Sequence, residues 1–242
     1  MPDASHGSKS RLPLRATLAV PLYRRSSLPF RLAFTVAARL RSASAPRHFS
    51  RDPGDRYLAA HTKNYFAERW LFGYHRVFNL LSHFHPETDL ATLDVLSLGP
   101  RTEIELYYLW LFAGFSWRRI VGADLVSFSP KIQLADFSKA LPFPDRSFDV
   151  IVASHCLEKS GDPAQTRDEI RRVARPGAWL LVSGDRVPLE AQRRRDPETS
   201  IPSQFFLDGA RGFASLYDVA PADIEYLEAQ SPHGFDIIIR VR

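Results

Sequence analysis

DFSKALPFPDRSFDVIVASHCLE, residues 136–158, is the stretch whose reading decides the fold. Within it, residues 148–154 (FDVIVAS) form an apolar run of strand length. The block Leu141-Pro142-Phe143-Pro144-Asp145-Arg146-Ser147 leads straight into that run, and Asp136-Phe137 closes a shorter segment, residues 132–137, that reads as the preceding strand. Toward the N-terminus, residues 93–98 (LDVLSL) and 119–123 (RIVGA) read as two further strands flanking a helix over residues 103–115. Toward the C-terminus, residues 163–174 read as a helix, followed by an Arg-Pro-Gly turn and a strand at residues 178–183. Apolar runs alternating with helical stretches are what a doubly wound, mostly parallel α/β sheet produces. Residues 205–217 predict a helix, and residues 224–229 and 235–241 predict a terminal antiparallel hairpin across Ser231-Pro232-His233-Gly234. Residues 185–204 yield no reading.

Three parts follow from this pattern: a basic, irregular extension over residues 1–51, a helical segment over 52–90 packing on the core, and the α/β domain over 91–242. In the extension, ten basic side chains face one acid, Asp3, out of chain totals of 32 and 27, so residues 52–242 carry 22 basic and 26 acidic side chains. The basic character therefore belongs to the extension, where an irregular tail, a membrane-surface or partner-docking helix over residues 30–40, and an organelle transit peptide all remain open readings. In the helical segment, residues 57–84 read as helix, since Tyr65, Phe66, Trp70, Leu71, Tyr74, Val77, Phe78, Leu81 and Phe84 recur at helical spacing. His83 and His85, two apart at a helix end, do not share a face and read as structural rather than metal-binding. A single cysteine, Cys156, excludes an internal disulfide and a multi-thiolate zinc site, and it reads as core. The longest strongly apolar stretch, residues 106–115, is half the roughly 20 residues of a spanning helix, so no membrane span is expected and the localisation expected is cytoplasmic or membrane-peripheral.

In a doubly wound sheet, ligands sit at the carboxyl ends of the strands. The candidate residues are therefore those that follow the strands. Ser97-Leu98-Gly99-Pro100-Arg101 follows the first, with one glycine where dinucleotide loops show three. Asp124 and Leu125 follow the second, which places an acid where it can accept from both ribose hydroxyls or cap a turn. Asp136 and Phe137 follow the third, and an acid beside an aromatic ring can hold an adenine amine and cover its face. Ser154 and His155 follow the fourth.

Residues 92–184, and above all 136–158, resemble the class I S-adenosylmethionine-dependent methyltransferases, in particular a small-molecule branch with an LPFPDxSFDVV loop before the central strand. A divergent form with a Gly-Pro-Arg loop is similar again over Asp124-Leu125-Val126-Ser127-Phe128-Ser129-Pro130. The resemblance implies a Rossmann-like seven-stranded sheet, S-adenosylmethionine as cofactor and a small-molecule acceptor, with a sugar or glycolipid precursor as the analogy. It also implies that Ser97, Gly99 and Arg101 wrap the methionine part, Asp124 and Leu125 the ribose, and Asp136 and Phe137 the adenine. Ser154 and His155 would lie beside the sulfonium or the acceptor, where His155 can act as general base or be structural. Ser97 stands where the family has an acid, and Arg101 and Glu103 stand where it has glycines. Arg101 either pairs with the cofactor carboxylate or makes an ion pair with Glu103 or Glu105. A non-catalytic scaffold of the same fold, its basic arm on a membrane or anionic partner, is the second reading; a nicotinamide dehydrogenase lacks its glycine fingerprint here. No nucleic-acid partner is expected, and oligomeric state is not legible.

Overall fold

The computed structural model describes residues 47–48, 75–100, 103–127, 129–184, 209–231 and 234–242. Residues 30–40, for which a docking helix is one of the open readings, the segment 57–74, Arg101 and residues 185–204 lie outside them. In chain order the elements are β1 (Arg47–His48), α1 (His75–Ser82), β2 (Val95–Leu98), α2 (Glu103–Tyr107), β3 (Ile120–Asp124), β4 (Val126–Ser127) and β5 (Ile132–Leu134). They continue with β6 (Phe148–Ser154), α3 (Pro163–Val173), β7 (Ala174–Gly184), α4 (Ala210–Leu216), β8 (Ile224–Ser231) and β9 (Gly234–Arg240).

Seven strands form one sheet in the order β5-β3-β2-β6-β7-β9-β8. The first five are parallel, and β9 and β8 complete it as the antiparallel hairpin that the sequence predicts. Period-two alternation sends side chains to both faces. Leu96, Leu98, Ile151, Ala153, Leu180, Val182 and Ile237 share one apolar cluster with Ile170 and Val173 of α3 and Phe213 of α4. Val95, Val150, Val152, Leu181 and Ile238 share the other with Val77, Leu80 and Leu81 of α1, Leu106 of α2 and Leu109 just after it. Burying a side chain such as Ile151 or Val152 completely contributes about 1.5–3 kcal/mol each, which fixes register on both faces.

Two elements differ from their sequence reading. The first helix was expected as one α-helix over residues 103–115, but only Glu103–Tyr107 is α and Tyr108–Ala113 is a π-helix. It ends when Gly114, at φ 100°, sends its N–H back five residues to the carbonyl of Leu109. The aromatic packing of this stretch favours the wider turn: Tyr107 stacks on Trp117 at 5.0 Å, and Trp110 lies 5.6 Å from Trp117. β7 starts at Ala174, because the ladder pairs Phe148 with Ala174 and Val150 with Trp179. The expected Arg-Pro-Gly turn is thus three extra residues held in a bulge, with Gly177 at φ 76°.

Two side chains of α3, Arg172 and Glu169, hold the LPFPD loop. Arg172 of α3 donates to the carbonyls of Leu141 (3.0 Å) and Phe143 (2.9 Å), to Asp145 Oδ1 (2.7 Å) and to both oxygens of Glu169. Glu169 in turn accepts from the backbone N–H of Leu141, and Arg172 holds its carboxyl below the ordinary range. Asp162 caps α3 by accepting from Gln165 N–H, and Pro163 occupies its first turn. Arg172→Ala is expected to cost about 2 kcal/mol, because it strips two carbonyls and a buried carboxylate of their donor. Urea denaturation checks this, and a loss below a few tenths of a kcal/mol would remove the latch.

His83 stacks on Tyr226 at 4.1 Å and His85 Nε2 donates to the carbonyl of Ser82, both structural roles. No helix among the described residues is long and apolar enough to cross a membrane.

Candidate functional site

From β2 the chain moves outward on one side, to β3 and β5; from β6 it moves outward on the other, to β7. The carboxyl ends of β2 and β6 therefore flank a crevice, the topological switch point of the sheet. Gly99 follows β2 with φ 73°, its N–H donating to the carbonyl of Ala123 at 2.8 Å. A Cβ on Gly99 would fall 2.6 Å from Cβ of Cys156, so only glycine lets these two turns approach. Cys156 closes the contact by donating its thiol to the carbonyl of Leu98 at 3.3 Å. Burial pushes that thiol well up, with Glu158 adding to the effect.

His155 follows β6 at φ 53°, a left-handed conformation that costs a non-glycine residue about 1–2 kcal/mol. Its backbone N–H donates to the carbonyl of Ser183 at 2.8 Å, which holds it there. Its Nδ1 lies 4.0 Å from Oε1 of the buried Glu158. Ser154, half-buried, precedes it at the end of β6.

Asp124 ends β3 and is 8% exposed, with Oδ1 accepting from the N–H of Val126 at 3.3 Å. Half-buried Leu125 separates β3 from β4, and β4 pairs antiparallel with β1, His48 opposite Val126. Beneath them the first turn of α2 brings in two carboxyls that the sequence reading did not select. Glu105 accepts from Ser97 Oγ at 2.5 Å, and Glu103 accepts from Tyr107 Oη at 3.1 Å and from Ser129 Oγ. Burial pushes Glu105 up to about 7 against the lowering effect of the Ser97 hydroxyl, and Asp124 raises it further. The acid that the family resemblance expects at Ser97 is thus absent there, while an acid from α2 reaches the Ser97 hydroxyl.

The structure groups Gly99, Asp124, Ser154 and His155 at the carboxyl pole, with Ser97 one layer below. Asp136 sits apart, in a turn beyond β5, where Oδ1 accepts from Ser138 N–H at 2.9 Å and Oδ2 lies 3.5 Å from Lys139 Nζ. Phe137 is buried in the same apolar cluster as Ala135 and Leu141. The signal for Glu103 and Glu105 was present as two acids in a first helical turn, but that pattern ordinarily marks a helix start and says nothing of burial. No group of three metal-ligating side chains is present among the described residues.

Residues 115–182 match the family model described as "Methyltransferase domain". A 69-residue stretch is 39% identical to malonyl-[acyl-carrier protein] O-methyltransferase 1 of Coxiella burnetii, covering 26% of this chain and 24% of that protein. The chain thus aligns with about a quarter of the length of the curated relative. Among solved structures, a SAM-dependent methyltransferase from Aquifex aeolicus superposes with TM-score 0.50 at 15% identity, over 76% of this chain and 98% of that one. The methyltransferase in complex with the Trm112 activator of Haloferax volcanii superposes with TM-score 0.55 at 16% identity, over 79% and 99%. The chain has the class I methyltransferase fold, a seven-stranded α/β sheet with an antiparallel end.

Proposed function

We propose that the chain binds S-adenosylmethionine at the carboxyl ends of β2, β3 and β6 and transfers its methyl group to a small molecule. The observation that carries this is Asp124: a buried carboxylate ending β3, beside a glycine turn at the switch point. The residues present fit the group. Asp124 can accept from both ribose hydroxyls, Gly99 leaves room for close backbone approach, and Asp136 with Phe137 stands on the adenine side. Arg101 supplies a guanidinium for the methionine carboxylate. When bound, the cofactor supplies an electrophilic methyl on a sulfonium.

Ser154 and His155 then face the transfer locus. His155 is the group for removing a proton from an O–H or N–H acceptor, with its Nδ1 4.0 Å from Oε1 of Glu158. The strained backbone of His155 supports a role in holding the ring at the end of β6. The Coxiella relative acts, by its name, on a malonyl-carrier protein; a sugar or glycolipid precursor rests on analogy of fold.

A non-catalytic scaffold is the second reading, favoured by one observation: Glu103, buried, puts a carboxyl group where the family has a glycine. On that reading the basic extension, which β1 anchors beside β4, serves an anionic surface. Calorimetric titration of the full chain with S-adenosylhomocysteine separates the two. Micromolar binding is expected; a folded chain giving no binding heat sinks the cofactor reading in favour of the scaffold.

A further inference from the structure

Arg167, Ile170 and Arg171 lie three and four residues apart on α3, so they share one face of the helix. Ile170 is buried against the sheet, and both arginines border the same groove. The next helix on that face, α4, has seven residues and is only about 10 Å long, whereas β7 has eleven residues. After α4 the chain turns at Asp218, φ 52°, and runs on through Val219 and Asp223. Between α3, this segment and the ends of β7 and β9 it leaves a groove of about 390 Å³. The floor is aliphatic: Ile170, Leu180, Val219, Ile239 and Val241. It lies toward the amino pole of the parallel strands, because Leu180 is about 10 Å back along β7 from Ser183 and the N–H of Val241 donates to the carbonyl of Ala178 at 2.8 Å. Gly99 and His155 are at the other end of the sheet.

The rim carries guanidiniums with unused donors. Arg167 engages only Nε, on its sequence neighbour Asp168 at 2.8 Å, and Asp168 is 58% exposed. Arg171 engages only Nη2, which donates to the carbonyl of Asp218 at 3.0 Å and, at 3.4 Å each, to the carbonyl of Tyr217 and to Asp218 Oδ2. A guanidinium has five N–H donors, so among the described residues Nη1 and Nη2 of Arg167 and Nε and Nη1 of Arg171 keep theirs. Residues four apart on a helix stand about 6 Å apart, within reach of one carboxylate. Arg242 adds a third charge, its Nε 2.5 Å from Asp223 Oδ1. Arg240 borders the groove as well, but its guanidinium lies over Trp179 at 3.7 Å, in the cluster on the opposite face.

Asp218 shows what these arginines accept. Its carboxylate reaches Arg171 at 3.4 Å, beyond the roughly 2.7–2.9 Å of a charge-assisted hydrogen bond, and its side chain is 76% exposed. A pair this long and this exposed contributes little and leaves the guanidinium open to a better-placed oxyanion. We infer that the groove is a binding site for a small amphiphilic anion, a carboxylate on an apolar body, with Arg167 and Arg171 on its head and the aliphatic floor under its body. The volume is at the lower end of small-molecule sites, roughly 300–1,000 Å³, and suits a medium-chain carboxylate. The site is independent of the cofactor reading.

The test titrates the full chain with octanoate, 1-octanol, octylamine and acetate, followed by saturation-transfer NMR. Octanoate is expected to bind at least about tenfold more tightly than octanol or octylamine, the factor that about 1.4 kcal/mol from the charged head supplies. Acetate, a head without a body, is expected to bind about tenfold more weakly than octanoate, or worse. Arg167→Gln removes a charge whose sole partner is exposed, and it is expected to bring octanoate and octanol within about threefold of one another. Asp218→Asn, a residue that tolerates the left-handed φ, removes the competing carboxylate and is expected to strengthen octanoate binding about threefold. Thermal melts report that each variant is folded. Saturating S-adenosylhomocysteine is expected to leave octanoate binding unchanged. Equal binding of octanoate and octanol to wild type, binding of no probe, a preference intact in Arg167→Gln, no gain in Asp218→Asn, or displacement by S-adenosylhomocysteine overturns the site. A chain that binds no S-adenosylhomocysteine yet ranks the probes as expected keeps this site and loses the cofactor.

Discussion

Asp124→Ala is expected to weaken S-adenosylhomocysteine binding about 100-fold, the largest change any single side chain of the site should produce. Hydrogen bonds to a charged group contribute about 1.5–3 kcal/mol each, and two ribose hydroxyls on one buried carboxylate account for at least the roughly 2.7 kcal/mol that 100-fold requires. The fold should survive, because Asp124 raises the proton affinity of Glu105 and its removal relieves that repulsion. Calorimetry beside a thermal melt distinguishes lost binding from lost structure. Binding within threefold of wild type would show that the acid ending β3 is a turn residue and nothing more.

Glu105→Gln is expected to stabilise the protein at pH 8 by up to about 3 kcal/mol, while having little effect near pH 4. The native carboxyl is raised from 4.5 to about 7, chiefly by burial. Between those values the folded chain keeps a proton that the unfolded chain has released, so stability falls as pH rises through the window and stays reduced above it. Glutamine is neutral throughout, and its amide oxygen can still accept from Ser97. Urea denaturation of both proteins at pH 5, 6.5 and 8 should show a downward slope in wild type and a flatter line in the variant. Parallel lines would mean that Glu105 is ionised in the native state at every pH tested.

How much of this was legible varies with the range of the interaction. The central strand, residues 148–154, matches its sequence reading at both ends, since an apolar run between a proline-rich loop and a polar turn has few alternatives. The π-helix at Tyr108–Ala113 was not legible, because it depends on where Trp117 lands after the chain has turned. At the site, Asp124 and Gly99 could be picked out because Gly99 immediately follows β2 and Asp124 closes β3. Glu105 could not: its burial and its bond to Ser97 come from helix packing over β2, and its spacing resembles any helix start.

The thiol of Cys156, wedged against Gly99 and bonded to the Leu98 carbonyl, is the chain's sole sulfhydryl. Alkylating reagents need an exposed thiolate, and this group is both buried and held protonated. Its rate of modification is then set by how often the junction of β2 and β6 comes apart. The protein carries a built-in clock for local opening at the floor of the crevice, readable by mass spectrometry from the alkylation of one residue, and a molecule seated on that floor would slow it.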